Sequence, residues 1–290
     1  MKLRRSICYT QGYDLEGTKT LIEGVSDCIL IDLEDSVPPP QKPLAREVSA
    51  KMLQDLDFQG KERVVRINSV DSEYYSLDMN EVIAVGLPDS IRIPKCEQVD
   101  DILMVDKTLT KIEKAAGLDK NTIDIWAMIE SPIGIRNAYD IACCCERLTA
   151  LTIGMEDLNR DMNIDRRYIN SETDLLYARQ KLVLDAKAAG VQVLDTVLLV
   201  DNEEINNAYT LASRQTGFDG RAVFNEREAV FANKVYFPSA ETFDWAKRVI
   251  EQFDEDAKKG VPCIVDGKSI CYAVYRKAQS LIDLQNSASK

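Results

Sequence analysis

Several strongly apolar segments of this chain end abruptly in acidic residues. Residues 127–135 read AMIESPIGI and residues 151–158 read LTIGMEDL, so Glu130 ends one segment and Glu156 and Asp157 end the other. The chain contains no histidine, so any acid–base chemistry must use Asp, Glu, Lys, Tyr or Cys. A bound metal would meet mainly oxygen ligands, which favour Mg²⁺, Mn²⁺ or Ca²⁺. The pattern therefore indicates carboxylate chemistry at the ends of buried segments.

Eight short apolar segments, rich in Val and Ile, must position these acids. The predicted strands are 5–10, 27–33, 63–68, 90–94, 123–129, 148–154, 191–197 and 219–224. Several are apolar on both faces, as buried parallel strands are. Eight strand–helix units favour an α/β protein of the (β/α)8 TIM-barrel type. A doubly wound open sheet is the alternative, and the lack of GxGxxG after the first strand weakens it.

Two of the intervening segments show clear helical periodicity, namely 97–116 and 174–189. The second segment follows Ser171, with Asp174 three positions further on, which is a capping pattern. Gly190 comes directly after it, where helices commonly stop.

The end of the chain exceeds what a minimal barrel needs. We predict a barrel over 1–236 and a C-terminal helical extension over 237–290 that acts as a lid or in oligomerisation. Within the extension, predicted helices over 239–257 and 268–285 flank a loop or short hairpin.

Composition limits the classes of function. The net charge of −12 argues against nucleic-acid binding, which needs clustered Lys and Arg. No apolar run approaches the ~18 residues of a membrane span, and the N-terminus lacks the apolar core of a signal peptide. We therefore expect a cytoplasmic protein without membrane association. The eight cysteines, with no CxxC pair, are interpreted as buried, reduced thiols.

Catalytic groups of a TIM barrel lie where its strands end. Asp32, Glu34 and Asp35 occupy the end of the second strand, and Glu130 and Asp157 follow the fifth and sixth. A single acid could simply cap the next helix, but five at one rim repel one another and favour a cation among them. Mg²⁺ typically takes one or two carboxylates. Glu130 and Asp157, from neighbouring strands, suit that pattern.

An arginine stands inside the apolar strand VVRIN. Arg66 is costly to bury unless it meets an anion. Two interpretations remain open: an ion pair with Glu34 or Glu130, or a clamp for a substrate carboxylate or a developing oxyanion. Lys95, at the end of the fourth strand, adds another cation to the same rim.

The order of these motifs resembles that of a known family. The segments ILIDLEDSVPP, VVRINSVDS, IRIPKCE, AMIESPIGIRNAYDIA, TIGMEDLNRDM and GFDGRAVFN are similar to those of the citrate lyase β-subunit group. That group belongs to the HpcH/HpaI aldolase superfamily, with malyl-CoA and citramalyl-CoA lyases. The resemblance runs from Arg5 to about Leu284. It implies a Mg²⁺-dependent carbon–carbon lyase that splits a 3-hydroxy acyl thioester, with citryl thioester giving acetyl thioester and oxaloacetate as the leading reaction.

The resemblance also implies roles for individual residues. The implied metal ligands are Glu130 and Asp157. The residues implied in catalysis are Arg66, Glu34 and Asp35. Glu34 and Asp35, together with Asp32, would anchor metal-bound water or the loop around it. The groups implied in substrate binding are Arg66 and the backbone amides of Gly154, Met155 and Glu156.

Partners follow from the same resemblance: an acyl-CoA or acyl-carrier-protein thioester, citrate lyase α and γ subunits, and further copies in a homotrimer or hexamer. One segment departs from the family. Relatives carry a motif like DGKMID, whose final Asp handles the acetyl proton in a neighbouring subunit's site, whereas this chain reads DGKSIC, with Cys271 at that position. Asp266 is a possible substitute. Three alternatives therefore stay open: a lyase of the malyl-CoA or citramalyl-CoA type, a thioesterase, and a non-catalytic regulatory subunit.

Overall fold

Eight parallel strands form a closed barrel in the computed structural model, which describes residues 2–167 and 173–288. The strands are β1 (Ser6–Gln11), β2 (Cys28–Asp32), β3 (Glu62–Arg66), β4 (Ser90–Ile93), β5 (Asp124–Ile129), β6 (Leu148–Ile153), β7 (Gln192–Asp195) and β8 (Gly220–Val223). Each strand pairs with the next, and β8 pairs with β1. The predicted TIM barrel is confirmed, and its closure excludes the open doubly wound sheet. β3 and β7 end two residues earlier than predicted.

Helices connect the strands. They are α1 (Leu15–Glu23), α2 (Lys42–Asp55), α3 (Tyr75–Asp78), α4 (Ala84–Gly86), α5 (Val99–Ala116), α6 (Pro132–Cys143), α7 (Met155–Met162), α8 (Leu176–Ala189) and α9 (Glu203–Thr216), with α10 (Glu226–Tyr236) after β8. A π turn, Met79–Ile83, joins α3 to α4. The predicted helices over 97–116 and 174–189 correspond to α5 and α8. Gly190 ends α8 with φ 77°, and the predicted cap Ser171 lies outside the described residues.

The barrel interior is filled by apolar side chains from several strands. The buried cluster consists of Ile7, Cys28, Leu30, Val64, Trp126, Ala150 and Leu194. At the amino-terminal ends of the strands, Arg4 Nε donates to Glu62 Oε2 at 2.7 Å, and both side chains are buried. Every residue of β2, β4 and β8 is buried, as expected for parallel strands that are covered on both faces.

The chain divides into two compact units, Arg4–Asn233 and Lys234–Lys290 with Met1–Leu3. The second unit contains α11 (Ala240–Lys259), a hairpin of β9 (Ile264–Val265) and β10 (Lys268–Ser269), and α12 (Tyr272–Ala288). Its core includes Val249, Cys263 and Ile270. These elements match the helices and hairpin predicted for the tail.

Two further expectations bear on composition. Among the described residues, none of the helices combines the length and the apolarity that crossing a bilayer requires. All eight cysteines are free, and Cys8, Cys28, Cys96 and Cys263 are buried. Cys143 and Cys271 are exposed, so the expectation of uniformly buried thiols is wrong for them.

Candidate active site

A cavity of about 410 Å³ lies at the carboxyl-terminal ends of the barrel strands. Its lining residues are Tyr9, Thr10, Gln11, Asp32, Asp35, Ser36, Arg66, Arg92, Met128, Glu130, Gly154, Met155, Glu156, Asp157, Thr196, Val197, Leu199 and Phe224. Seven of the eight predicted site residues are in this set. The eighth, Glu34, does not line the cavity but contacts Arg66, which does. Because parallel strands end on one side, residues far apart in the chain meet here.

Arg66 is anchored by the neighbouring strand. It is the last residue of β3 and lies in register with Asp32, the last residue of β2. Arg66 Nε and Nη2 donate to the two Asp32 carboxylate oxygens at 2.6 Å each, and Nη1 lies 3.1 Å from Glu34 Oε2. Burial opposes the charge on Arg66, but these acids hold its pKa well above the usual value. The predicted ion pair with Glu34 is present, and Asp32 is a stronger partner than the sequence indicated.

Asp32 also organises the loop that follows β2. Its carboxylate accepts the backbone N–H of Glu34 at 2.9 Å and that of Ser36 at 3.0 Å. Burial alone would raise the pKa of Asp32, but Arg66 and these hydrogen bonds lower it below the usual value. Lys42 Nζ donates to the Glu34 carbonyl oxygen at 3.1 Å and so holds the same loop from α2. Asp32 therefore acts on the site through Arg66 and the loop.

Glu130 reaches the cavity from the end of β5. It is 4% exposed, and its Oε1 accepts the backbone N–H of Lys95 at 2.7 Å. Lys95 has the left-handed φ of 54°, and its Nζ donates to Glu34. Burial, followed by the carboxylates of Asp157 and Glu34, raises the pKa of Glu130 to about 7. The site therefore holds a buried carboxylate whose ionised form a nearby cation would stabilise.

The acids of the sixth strand end lie in the first turn of α7. Asp157 accepts a hydrogen bond from Arg160, and Glu156 accepts one from Arg166 Nη1 at 2.6 Å. Glu156 is about half exposed, whereas the Asp157 side chain is mostly buried. Both residues line the cavity. Of the two, only the Asp157 carboxylate contributes to the raised pKa of Glu130.

One predicted binding group is already engaged. The backbone N–H of Gly154 donates to the Ile129 carbonyl oxygen at 2.9 Å, so the expectation that this amide holds a substrate carboxylate is corrected. The amides of Met155 and Glu156 begin α7, where the first N–H groups have no partner within the helix. These two amides can donate hydrogen bonds to an anion.

Several cavity residues were not singled out by the sequence analysis, and Tyr9, Arg92 and Phe224 are three of them. Arg92 lies within β4 and is 2% exposed. The signal that singled out Arg66, an arginine inside an apolar strand, also marks Arg92 in SIRI. Tyr9 and Phe224 carried no such signal, because aromatic residues are common in strands.

The donor set fits a magnesium ion. Among the described residues there is no group of three or more His, Cys, Asp or Glu side chains placed to hold a metal. Mg²⁺ needs fewer protein ligands, since it usually keeps several waters and takes one or two carboxylates. The Glu130 and Asp157 carboxylates repel each other, and a divalent cation bound by both would remove that repulsion. These residues are therefore suited to hold Mg²⁺.

Comparisons with known proteins agree on one group. The family model described as HpcH/HpaI aldolase/citrate lyase matches residues 5–226. The citrate lyase subunit beta of Haemophilus influenzae is 35% identical over 289 residues, which cover 99% of this chain and 98% of that protein. The mitochondrial citramalyl-CoA lyase of Mus musculus is 29% identical, over 98% of this chain and 86% of that protein. CitE from Mycobacterium tuberculosis, in complex with magnesium, acetoacetate and coenzyme A, shares the fold: its TM-score is 0.74 at 22% identity, and 96% of each chain is covered.

Proposed function

The chain belongs to the HpcH/HpaI aldolase/citrate lyase family, and from this premise we propose that it is a Mg²⁺-dependent carbon–carbon lyase acting on a 3-hydroxy acyl thioester. The leading substrate is a citryl thioester, cleaved to an acetyl thioester and oxaloacetate. The observation that carries the proposal is the meeting of Glu130, Asp157 and Arg66 in one cavity. The β-subunit relative supports the choice of citryl.

The reaction breaks the bond between the carbinol carbon and the α-carbon of the thioester. The hydroxyl group loses its proton, and the carbinol carbon becomes the carbonyl carbon of the 2-oxo acid. The electron pair of the broken bond leaves with the thioester as an enolate, which then takes up a proton at its α-carbon. A Mg²⁺ ion held by Glu130 and Asp157 would supply a Lewis acid for the hydroxyl group and the adjacent carboxylate.

The protein's own groups orient the substrate. Arg66 is rigidly held by Asp32, which leaves its Nη1 edge, beside Glu34, as the edge able to meet a substrate oxygen. The backbone amides of Met155 and Glu156 bind the substrate carboxylate at the start of α7. The Lys95 amide keeps Glu130 in place. Since these groups are fixed before substrate binds, they add little reorganisation cost.

One feature favours a second candidate, a related lyase or thioesterase of the malyl-CoA or citramalyl-CoA type. The chain has DGKSIC where relatives carry an Asp-terminated motif, so the proton at the acetyl carbon needs a different carrier. Cys271 is exposed, and the backbone amides of Val274 and Ala273 lower its pKa. Asp266 forms an ion pair with Arg248 at 2.9 Å.

The test is release of a 2-oxo acid from citryl-CoA, (S)-malyl-CoA and (S)-citramalyl-CoA in the presence of Mg²⁺. We expect release of oxaloacetate from citryl-CoA and its loss on chelation. Glu130→Gln should abolish release, while the exposed Glu47→Gln should behave as wild type. Free CoA without a 2-oxo acid would identify a thioesterase. A folded, Mg²⁺-binding protein that cleaves no thioester, on CoA or on a carrier protein, would contradict the proposal and favour a regulatory subunit.

Partners complete the proposal. The thioester is carried by CoA or by an acyl-carrier protein, and the chain works with citrate lyase α and γ subunits as a homotrimer or hexamer. The β-subunit relative supports the subunit partners, and the CoA complex of the structural relative supports the CoA alternative. Light scattering on the purified chain, alone and with the carrier protein, tests both assembly statements. A monomer that does not bind the carrier protein would contradict both statements.

A further inference from the structure

Arg92 differs from every other buried arginine that the structure describes. The buried arginines are Arg4, Arg46, Arg66, Arg92, Arg147, Arg179 and Arg221. Six of these have a carboxylate oxygen within 3.7 Å. Arg92 forms no ion pair with any described carboxylate. Its positive charge is therefore buried without a negative partner from the described part of the chain.

Neutral groups hold the Arg92 side chain in place. Its Nε donates to Thr152 Oγ1 of β6 at 3.0 Å, and its Nη1 donates to the Tyr9 hydroxyl of β1. The guanidinium carbons of Arg66 and Arg92 lie 5.7 Å and 5.6 Å from the centroid of the Tyr9 ring, respectively. Among the described residues, Arg92 Nη2 has no hydrogen-bond partner. The guanidinium group is thus fixed in direction and keeps donor capacity.

The free side of Arg92 belongs to the cavity. Arg92 is a lining residue, in the same set as Glu130, Asp157 and the apolar Phe224. A buried charge without a counter-ion is strongly unfavourable. An anion that enters the cavity would remove that cost and could form charge-assisted hydrogen bonds with the guanidinium group. The side of Arg92 that faces the cavity is therefore suited to an anion.

We propose that Arg92 binds the second carboxylate of a dicarboxylic 2-oxo acid unit, and so selects 2-oxo dicarboxylates over 2-oxo monocarboxylates. The inference rests on the proposed function, because that function places the first carboxylate and the neighbouring oxygen beside Arg66 and the Met155 and Glu156 amides, where a Mg²⁺ ion held by Glu130 and Asp157 would meet them. Arg92, in register with Arg66 on the next strand, meets the group that only a longer, dicarboxylic unit carries. Arg92 is a specificity-determining residue and takes no part in bond breaking.

The test compares two acids that differ by one carboxylate. Binding of freshly dissolved oxaloacetate and of pyruvate to the Mg²⁺-loaded protein is measured by titration calorimetry. We expect wild type to bind oxaloacetate about 10- to 100-fold more tightly, the effect of one charged hydrogen-bonded contact. Arg92→Gln should remove this preference and leave pyruvate binding unchanged. Arg92→Lys, which keeps the charge, should restore part of the preference.

Several outcomes would overturn the subsite. The proposal would be contradicted if wild type bound oxaloacetate and pyruvate equally tightly. It would also be contradicted if oxaloacetate did not bind at millimolar concentration. Arg92→Gln that weakens both acids equally would show that Arg92 only supports Tyr9 and Thr152. Inorganic phosphate binding as tightly as oxaloacetate would identify a general anion site. Binding needs no turnover. A protein without lyase activity that still prefers oxaloacetate over pyruvate would therefore contradict the proposed reaction but support the role of Arg92.

Discussion

The α-carbon of Gly154 lies against the side chain of Glu130. A Cβ at position 154 would lie 2.7 Å from the Glu130 Cβ and 2.6 Å from the Met128 methyl carbon, closer than real Cβ atoms come. Glu130 cannot move aside freely, because it is buried and held by the Lys95 amide. Glycine at 154 thus makes room for the predicted metal ligand.

Gly154→Ala should therefore weaken Mg²⁺ binding. Displacing Glu130 removes a support of the metal site, and changes of this kind typically cost about 10- to 100-fold in metal affinity. Mn²⁺ binding followed by electron paramagnetic resonance, with Mg²⁺ as competitor, measures the effect. Gly117→Ala is the matched control, because φ there is 71° and nothing lies within 4 Å of the added Cβ. The control should lower the melting temperature but leave metal affinity unchanged. If Gly154→Ala leaves the metal affinity unchanged, the assignment of Glu130 as a metal ligand is contradicted.

Asp32→Asn should destabilise the fold by about 3 to 5 kcal/mol at pH 7, since it leaves Arg66 buried beside a neutral partner. Urea denaturation measures this loss, and the exposed Asp55→Asn serves as control. The lowered pKa of Asp32 sets the pH dependence. Its stabilisation is complete above the unfolded value of about 3.9 and is lost as pH falls through the folded pKa. The gap between wild type and variant should therefore shrink only below about pH 4. A gap that closes near neutral pH would point to another group.

Arg160→Gln should strengthen Mg²⁺ binding. Arg160 donates to Asp157, so its charge competes with a cation at the same carboxylate. The Arg160 side chain is 64% exposed, so solvent screens the competition and the gain should be only about two- to fivefold. The gain should fade as ionic strength rises. Arg214→Gln, an exposed residue outside the cavity lining, controls for loss of one positive charge. Weaker binding in Arg160→Gln would show that Arg160 supports the site instead.

Cys271→Asp should raise the rate of 2-oxo acid release, because it restores the acid that the family resemblance implies. The position tolerates an acid: Cys271 precedes α12, and its carbonyl oxygen already accepts the Val274 and Tyr275 amides. A carboxylate at a helix N-terminus is favourable. The assay is the thioester cleavage described above, with Cys271→Ser as the control that adds no charge. If Cys271→Asp is no faster than Cys271→Ser, position 271 takes no part in proton transfer.

The sequence predicted the barrel and its rim of acids well, because both depend on local patterns. Apolar runs of strand length that alternate with helical periods are typical of parallel strands, and all eight were found. Acids that directly follow such strands must lie at one rim once the strands run parallel. Glu130 and Asp157 therefore face one cavity, as their positions in the chain predicted.

Pairing across strands was beyond the sequence. The choice of partner for Arg66 depended on the register of β2 and β3, which places Asp32 directly beside it. The Gly154 amide was expected to help hold a substrate carboxylate, but it donates to the carbonyl oxygen of Ile129, the last residue of β5.

By itself, the sequence determined which residues the barrel holds, which strands they follow and which charges they carry, because these properties are local. Only the tertiary structure decided which charges are compensated. Arg66 and Arg92 are both arginines within apolar strands, but closure of the barrel places Arg66 beside Asp32 and places Arg92 beside the neutral Tyr9 and Thr152. Compensation depends on distances between residues of different strands, β2 and β3 for Arg66 and β1, β4 and β6 for Arg92, and only the closed sheet sets those distances.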